Sequence, residues 1–214
     1  MLELYKDEFI IAVDKSAGLL TIPDGYKHDL PNVKNILKET YPEIFTVHRL
    51  DKETSGVLLF ALTAPAHRAM SMLFESRQVS KEYRAVVHGI IEEQLFKIDF
   101  PLLINGDRNH RTVVNSEHGK TAATQIEFIS SLIDKSLIKA YPLTGYRHQI
   151  RAHLAVIGHP ILGDQLYGEK KALSFDTDSR LALHAHHLSF IHPFTQKQID
   201  IVAPIPDDLL ILMQ

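Results

Sequence analysis

A polar turn that runs straight into an unbroken apolar stretch constrains this chain more than any other feature. Val47-His48-Arg49-Leu50-Asp51-Lys52-Glu53-Thr54-Ser55-Gly56 is followed at once by Val57-Leu58-Leu59-Phe60-Ala61-Leu62. A short apolar run bounded by turn signals reads as a buried strand. At its mouth the turn sets one carboxylate, Asp51, beside one arginine, Arg49. Loops held by a rigid element are where catalytic groups concentrate, because the backbone there is positioned but not consumed by packing. Taken alone, an Arg-x-Asp turn is more often a capped turn or a surface ion pair. Asp51 is therefore a candidate that needs partners.

Short strands recur through the rest of the chain. Apolar runs and alternation predict strands at residues 10–13, 57–62, 82–87, 121–128, 137–141, 183–190 and 198–202. Helices are predicted at 32–39, 65–75 and 148–157, with a short one after Pro206. Strands outnumber helices and no regular βαβ alternation occurs, which predicts an α+β fold with a mixed, mainly antiparallel sheet. With 214 residues, 45% of them hydrophobic, the chain can bury a core without disulfides or metals, as one domain or a tightly fused pair of lobes. It has no cysteine, which is compatible with a reducing cytosol. The opening Met1-Leu2-Glu3-Leu4-Tyr5-Lys6-Asp7 lacks the pattern of a signal peptide, and no segment approaches a membrane span. A cytoplasmic location is expected.

The partners for Asp51 come about a hundred residues later, in Pro142-Leu143-Thr144-Gly145-Tyr146-Arg147-His148-Gln149-Ile150-Arg151-Ala152-His153-Leu154-Ala155-Val156-Ile157-Gly158-His159-Pro160. Thr144 and Gly145 can open a helix, Ile150, Leu154 and Ile157 recur on one face, and Gly158 closes it. Arg147 and Arg151 are four apart, and His148 and Arg151 three apart, so their side chains are expected on one face. Such a face suits a polyanion or a buried carboxylate. A solvated polar face is the commoner outcome, but cations at a helix N-terminus oppose the macrodipole and need another reason to be there. In Lys81-Glu82-Tyr83-Arg84-Ala85-Val86-Val87-His88-Gly89, alternation puts Tyr83, Ala85 and Val87 on one face. A tyrosine there is more often core, yet it could stack on a base.

The formal charge of −3 is uncomfortable for a protein that binds a polyanion, because such binding rests on lysine and arginine releasing counterions. Its distribution offsets this. Arg108, His110, Arg111, His118 and Lys120 lie together with few acids, whereas Asp207 and Asp208 sit in the tail. A basic cleft on a mildly acidic body is predicted, with binding that weakens as salt rises. The polar stretches 18–31 and 104–120 are those expected to move or touch a ligand.

Three motifs, in this order and at about these separations, resemble those of the RluA family of pseudouridine synthases. They are His48-Arg49-Leu50-Asp51 with Thr54-Ser55-Gly56, then Lys81-x-Tyr83, then Thr144-Gly145 with His148-Gln149-Ile150-Arg151. The continuation Gly158-His159-Pro160-Ile161-Leu162-Gly163-Asp164 with Tyr167-Gly168 also fits, and the likeness spans nearly the whole chain. Tyr146 departs from it, standing where many members carry arginine; Arg147 follows and could take over a phosphate contact. The resemblance implies a single catalytic domain over residues 1–214, without a separate N-terminal RNA-binding domain, and a bent sheet flanked by helices around a central cleft. It implies isomerisation of a uridine within ribosomal or transfer RNA, by a monomer. Asp51 would be the essential carboxylate, as nucleophile or as base toward the ribose. Arg151 would lie against it, favouring its ionised form, and Tyr83 would lie against the flipped uracil. Because the target atom is inaccessible inside a stack, the nucleotide must be extruded, and Arg49 is the candidate to fill the gap. His48, Lys81, Arg147, His148, Arg108, Arg111 and Lys120 complete the expected RNA contacts.

No cofactor and no metal are expected: the chain has no glycine-rich dinucleotide fingerprint, P-loop or HExxH run. His184-Ala185-His186-His187, with His192 nearby, invites a metal reading, but no cysteine or matched acid completes a site. A nucleosidase or glycosidase would also place a carboxylate at an anomeric centre, although glycosidases generally need two. A non-catalytic RNA-binding module has no need of an acid within a basic cleft.

Overall fold

A computed structural model describes residues 1–25, 27, 29–168 and 180–213. Its elements in chain order are β1 (Leu2–Lys6), β2 (Ile10–Lys15), α1 (Val33–Lys38), β3 (Phe45–Thr46), β4 (Ser55–Ala61), α2 (Ala64–Glu75), β5 (Ser80–His88), β6 (Leu95–Ile98), β7 (Leu102–Leu103), β8 (Val113–Val114), β9 (Thr124–Leu132), β10 (Lys135–Pro142), α3 (Gln149–Val156), β11 (Leu183–Ile191), β12 (Gln198–Val202) and α4 (Asp207–Leu212). Few helices accompany a large, mainly antiparallel sheet, as the absence of βαβ alternation predicts. Two residues of the polar stretch 18–31, at 26 and 28, lie outside the described residues.

The chain divides into two compact units. The first comprises Met1–Lys81 and Ala185–Ile205. Its strands run in the order β1, β2, β4, β11, with β3 added to β4 and β12 to β11. All seven residues of β4 are buried, which is why its sequence is an unbroken apolar run with only Ser55 and Gly56 at its start. Gly56 has φ of 110°, and a Cβ there would stand 2.1 Å from the Ala185 carbonyl oxygen, so only glycine lets these two backbones approach so closely. Antiparallel β2 fixes the register of β4, with Ile10 opposite Ala61 and Lys15 opposite Gly56. Thr63 caps α2 by accepting from the Ala66 N–H at 3.2 Å, and Met70 turns inward onto Ile10, Val57, Leu59, Val79, Leu188 and Phe190. Truncating a packed core residue of this size costs about 2–5 kcal/mol.

The second unit comprises Glu82–His184 and Pro206–Gln214. Here β5, β10, β9 and β6 form an antiparallel series, with Tyr83 opposite Ala140 and Ala140 opposite Ile126. Alternation in β10 is strict, every second residue being buried. Residues opposite one another project to the same face. Tyr83, Ile138, Ala140, Ile126 and Thr124 therefore share one face, and α3 joins it where Thr124 Oγ1 meets His153 Nδ1 at 2.9 Å. Among the described residues no helix is long and apolar enough to cross a membrane.

Candidate active site

In the first unit, the Asp51 turn is built from the backbone. Lys15 closes the apolar strand β2 and is wholly buried, and its ammonium donates to the carbonyls of Ser16 at 3.0 Å, Leu19 at 2.7 Å and Lys52 at 3.0 Å. The Gly18 N–H adds a second donor to Lys52 O at 2.8 Å. On the other side, the Thr21 hydroxyl donates to Leu50 O at 2.9 Å and accepts from Leu50 N–H at 3.2 Å. The residues before and after Asp51 are thus both tied to the 15–21 segment. Thr54 N–H closes the turn on Asp51 O at 3.2 Å. Asp51 itself is half-buried, whereas Arg49, Lys52 and Glu53 are exposed. The result is a carboxylate whose backbone cannot drift, at the entrance to a strand with no solvent around it.

His48 lies in the same turn but faces inward. Its Nε2 accepts from the Leu59 N–H at 2.9 Å and its ring stacks on Phe74 at 4.7 Å. Burial, reinforced by the nearby Lys81 ammonium, drives its pKa from 6.5 down to about 3. A neutral, inward-bonded imidazole brings no positive charge to a polyanion. Lys81 is half-buried; burial and the Arg77 charge lower its pKa.

In the second unit, Arg151 is held by side chains. It is almost fully buried, and its Nε and Nη2 donate to Asp164 Oδ2 and Oδ1, each at 2.8 Å. Asp164 Oδ1 also accepts from the backbone N–H groups of Leu166 and Tyr167 at 3.0 Å. The Tyr167 ring faces the Arg151 guanidinium at 5.2 Å. Its hydroxyl accepts from Thr112 N–H at 2.8 Å and lies 3.1 Å from His148 Nδ1, and burial raises its pKa. The segment that delivers Asp164 is aligned by β5, through His88 N–H to Pro160 O and Leu162 N–H to Val86 O, both 2.9 Å. Tyr83 is half-buried on the sheet face that α3 also occupies.

The expected common face of Arg147, His148 and Arg151 does not form. The helix begins at Gln149, and His148 before it has φ of 56° in the left-handed region, so helical spacing does not apply to Arg147 or His148. Gln149 organises this start instead: its Oε1 accepts from the Thr144 hydroxyl at 2.7 Å and Tyr146 N–H at 3.1 Å, while its Nε2 donates to Ala123 O at 2.9 Å. Thr144 therefore acts through Gln149 and not as the residue that opens the helix. The C-terminus ends as predicted, with Gly158 N–H on Ala155 O and His159 N–H on Leu154 O. Arg147 is exposed and donates to Asn105 Oδ1 at 3.0 Å, and Tyr146 packs against the cluster of Leu102, Ala122 and Ala152. Arg111 pairs with Asp107 at 2.6 Å and reaches Leu166 O at 3.2 Å, whereas Arg108 and Lys120 are exposed.

Two functional candidates escape residue-by-residue reading. Lys15 shows only as a cation ending an apolar strand, and Asp164 with Tyr167 shows no local periodicity or spacing that ties it to Arg151. His186 Nδ1 lies 3.0 Å from Ala203 O and His187 Nε2 3.0 Å from Asp200 Oδ1; among the described residues no cluster of three histidine, cysteine, aspartate or glutamate side chains is placed to hold a metal ion.

A family model described as RNA pseudouridylate synthase matches residues 9–156, a span that holds Asp51, Tyr83 and Arg151 and stops short of Asp164. The dual-specificity RNA pseudouridine synthase RluA of Pasteurella multocida is 37% identical over 203 residues, covering 94% of this chain and 90% of that protein. Ribosomal large subunit pseudouridine synthase D of Zymomonas mobilis is 35% identical over 229 residues, covering 99% of this chain and 71% of its own. Among solved structures, human RNA pseudouridylate synthase domain containing 1 superposes with a TM-score of 0.79 at 28% identity, over 95% of this chain and 83% of that one. With its motifs, its fold and nearly its whole length accounted for in this way, the chain belongs to the RluA family of RNA pseudouridine synthases.

Proposed function

We propose that this protein converts specific uridines to pseudouridine in structured ribosomal or transfer RNA, as a monomer in the cytoplasm and as a single catalytic domain. The observation that carries the reading is the Asp51 turn: a half-buried carboxylate, tied at Leu50 and Lys52, at the mouth of a fully buried strand. The substrate range is supported by the two relatives, one named for dual specificity and one for the large ribosomal subunit.

The reaction breaks the N1 glycosidic bond, turns the uracil and forms a bond from C5 to the same anomeric carbon; N1 gains a proton and C5 loses one. Atoms balance without oxidant or co-substrate. Asp51 acts ionised, as nucleophile at the anomeric carbon or as base toward the ribose. Tyr83 supplies a ring face to the uracil, a contact worth roughly 1–3 kcal/mol. Arg151 supplies the fixed cation of the reacting site. Arg49, exposed beside Asp51, takes the place of the extruded nucleotide, and Arg108, Arg147 and Lys120 contact phosphates.

The test is to incubate the protein with RNA from cells lacking its gene and map pseudouridine by carbodiimide-block sequencing, with Asp51→Asn as control. A new site that requires Asp51, while the variant keeps its RNA affinity, is expected. If no site appears in ribosomal or transfer RNA, the proposed reaction falls and only the family fold remains.

A further inference from the structure

We infer that Asp164 and Tyr167 are positioning residues for Arg151, holding its guanidinium in one plane and one heading for the reaction. The inference rests on the catalytic role proposed for Arg151.

Three observations carry it. First, the Arg151–Asp164 pair is two-pronged and dry, with side-chain exposures of 5% and 0%. Two parallel N–H···O contacts fix the plane of a guanidinium, where a single contact would leave it free to swing. They use the Nε and Nη2 edge, so Nη1 lies outside the pair. Second, Asp164 is itself immobilised. Its Oδ1 caps the turn by accepting from Leu166 and Tyr167 N–H, and a Cβ on Gly168 would stand 2.5 Å from the Asp164 carbonyl, so this turn closes only around glycine. Third, the Tyr167 ring covers one face of the guanidinium at 5.2 Å and is pinned at its far end by Thr112 N–H and His148 Nδ1. The same ring meets Arg111 at 6.0 Å, and Arg111 also holds Leu166 O. In-plane rotation is thus blocked by Asp164 and out-of-plane motion by Tyr167.

Stability alone is a poor reason for this arrangement, because a buried ion pair recovers its desolvation cost only with excellent geometry and apolar replacements often serve as well. Orientation is what the pair provides and an apolar pair would not.

The experiment follows tritium release from RNA labelled with [5-³H]uridine, since the C5 hydrogen leaves in the reaction, for wild type, Asp164→Asn, Arg151→Lys, their double variant, Tyr167→Phe and Tyr167→Leu. Folding is verified by thermal melts. Asp164→Asn is expected to lower kcat by roughly 100-fold with KM unchanged, the scale of a misplaced catalytic group. The double variant is expected to be no slower than Arg151→Lys alone. Tyr167→Phe, which keeps the ring, is expected to retain most of kcat that Tyr167→Leu loses. The inference is overturned if folded Asp164→Asn keeps its kcat, if the losses multiply in the double variant, or if they fall on KM. Should Asp164→Asn not fold, the two Tyr167 variants decide by the same criterion. Should the wild type release no tritium, the proposed function has failed. The positioning is then decided by the Arg151 Nε–H resonance, which is protected from exchange in the wild type and must lose that protection in folded Asp164→Asn or Tyr167→Leu.

Discussion

The Asp51 turn and the Arg151 helix start solve the same problem in opposite ways. The first is braced by one buried ammonium and one hydroxyl acting on backbone carbonyls and an N–H, so the main chain itself is locked. The second is braced largely by side chains acting on side chains, Asp164 and Tyr167 on Arg151 and Thr144 and Thr124 with Gln149, with the backbone at Ala123, Tyr146, Leu166 and Tyr167 as further anchors. Backbone bracing survives changes in most neighbours but concentrates the load on a few residues, Lys15 above all. A side-chain network spreads the load, and each link contributes a smaller part.

That difference is open to attack. Removing the ammonium should do the most damage: Lys15→Met takes the ammonium from the Ser16 and Leu19 carbonyls, leaves Lys52 O with the Gly18 N–H alone, and is expected to cost about 3 kcal/mol, read by urea unfolding, with loss of amide protection across 50–54. Gln149→Leu should cost less, about 2 kcal/mol, because the Ala123 carbonyl keeps the Leu143 N–H at 2.9 Å and the Thr144 hydroxyl keeps the Ala123 N–H at 3.2 Å. If Gln149→Leu proves the more damaging of the two, the contrast between concentrated and distributed bracing is wrong.

Smallest at neutral pH, and growing only in acid, is a pH dependence set by His48 in the first region. The His48 pKa is about 3 in the folded protein against 6.5 when unperturbed. Below pH 6.5 the unfolded chain therefore binds a proton that the folded one refuses, so stability is present above that value and is lost as pH falls toward 3. His48→Gln, whose side-chain oxygen can accept from Leu59 N–H, should flatten the melting temperature between pH 7 and pH 4, measured against wild type in matched buffers. A slope that is unchanged would place the acid sensitivity elsewhere.

The two regions also differ in how far they could be read in advance. Asp51 stood out because everything that exposes it is local: a turn rich in polar residues, then β4 with every residue buried. The same locality misled at Arg147 and His148. Spacing put them on the Arg151 face, but the left-handed His148 delays the helix to Gln149, and a backbone choice of that kind has no signature in hydrophobic period. Nor does the sequence pattern mark the short strands β1, β3, β6, β7 and β8. They run two to five residues, and β6 is an edge strand with Leu95 and Lys97 exposed, so neither alternation nor an apolar run marks them.

The order of residues alone determined the class of fold, the buried β4 strand, the α2 and α3 helices and the candidacy of Asp51, Tyr83 and Arg151, because periodicity, turn chemistry and motif order act over a few residues. Only the tertiary structure decided what holds these groups. Lys15 reaches Lys52 across 37 positions and Asp164 meets Arg151 across 13, and such pairings follow from how strands carry distant segments together. Local propensity ends at the turn, whereas the orientation of a charged group is set by whichever partner the folded chain delivers to it.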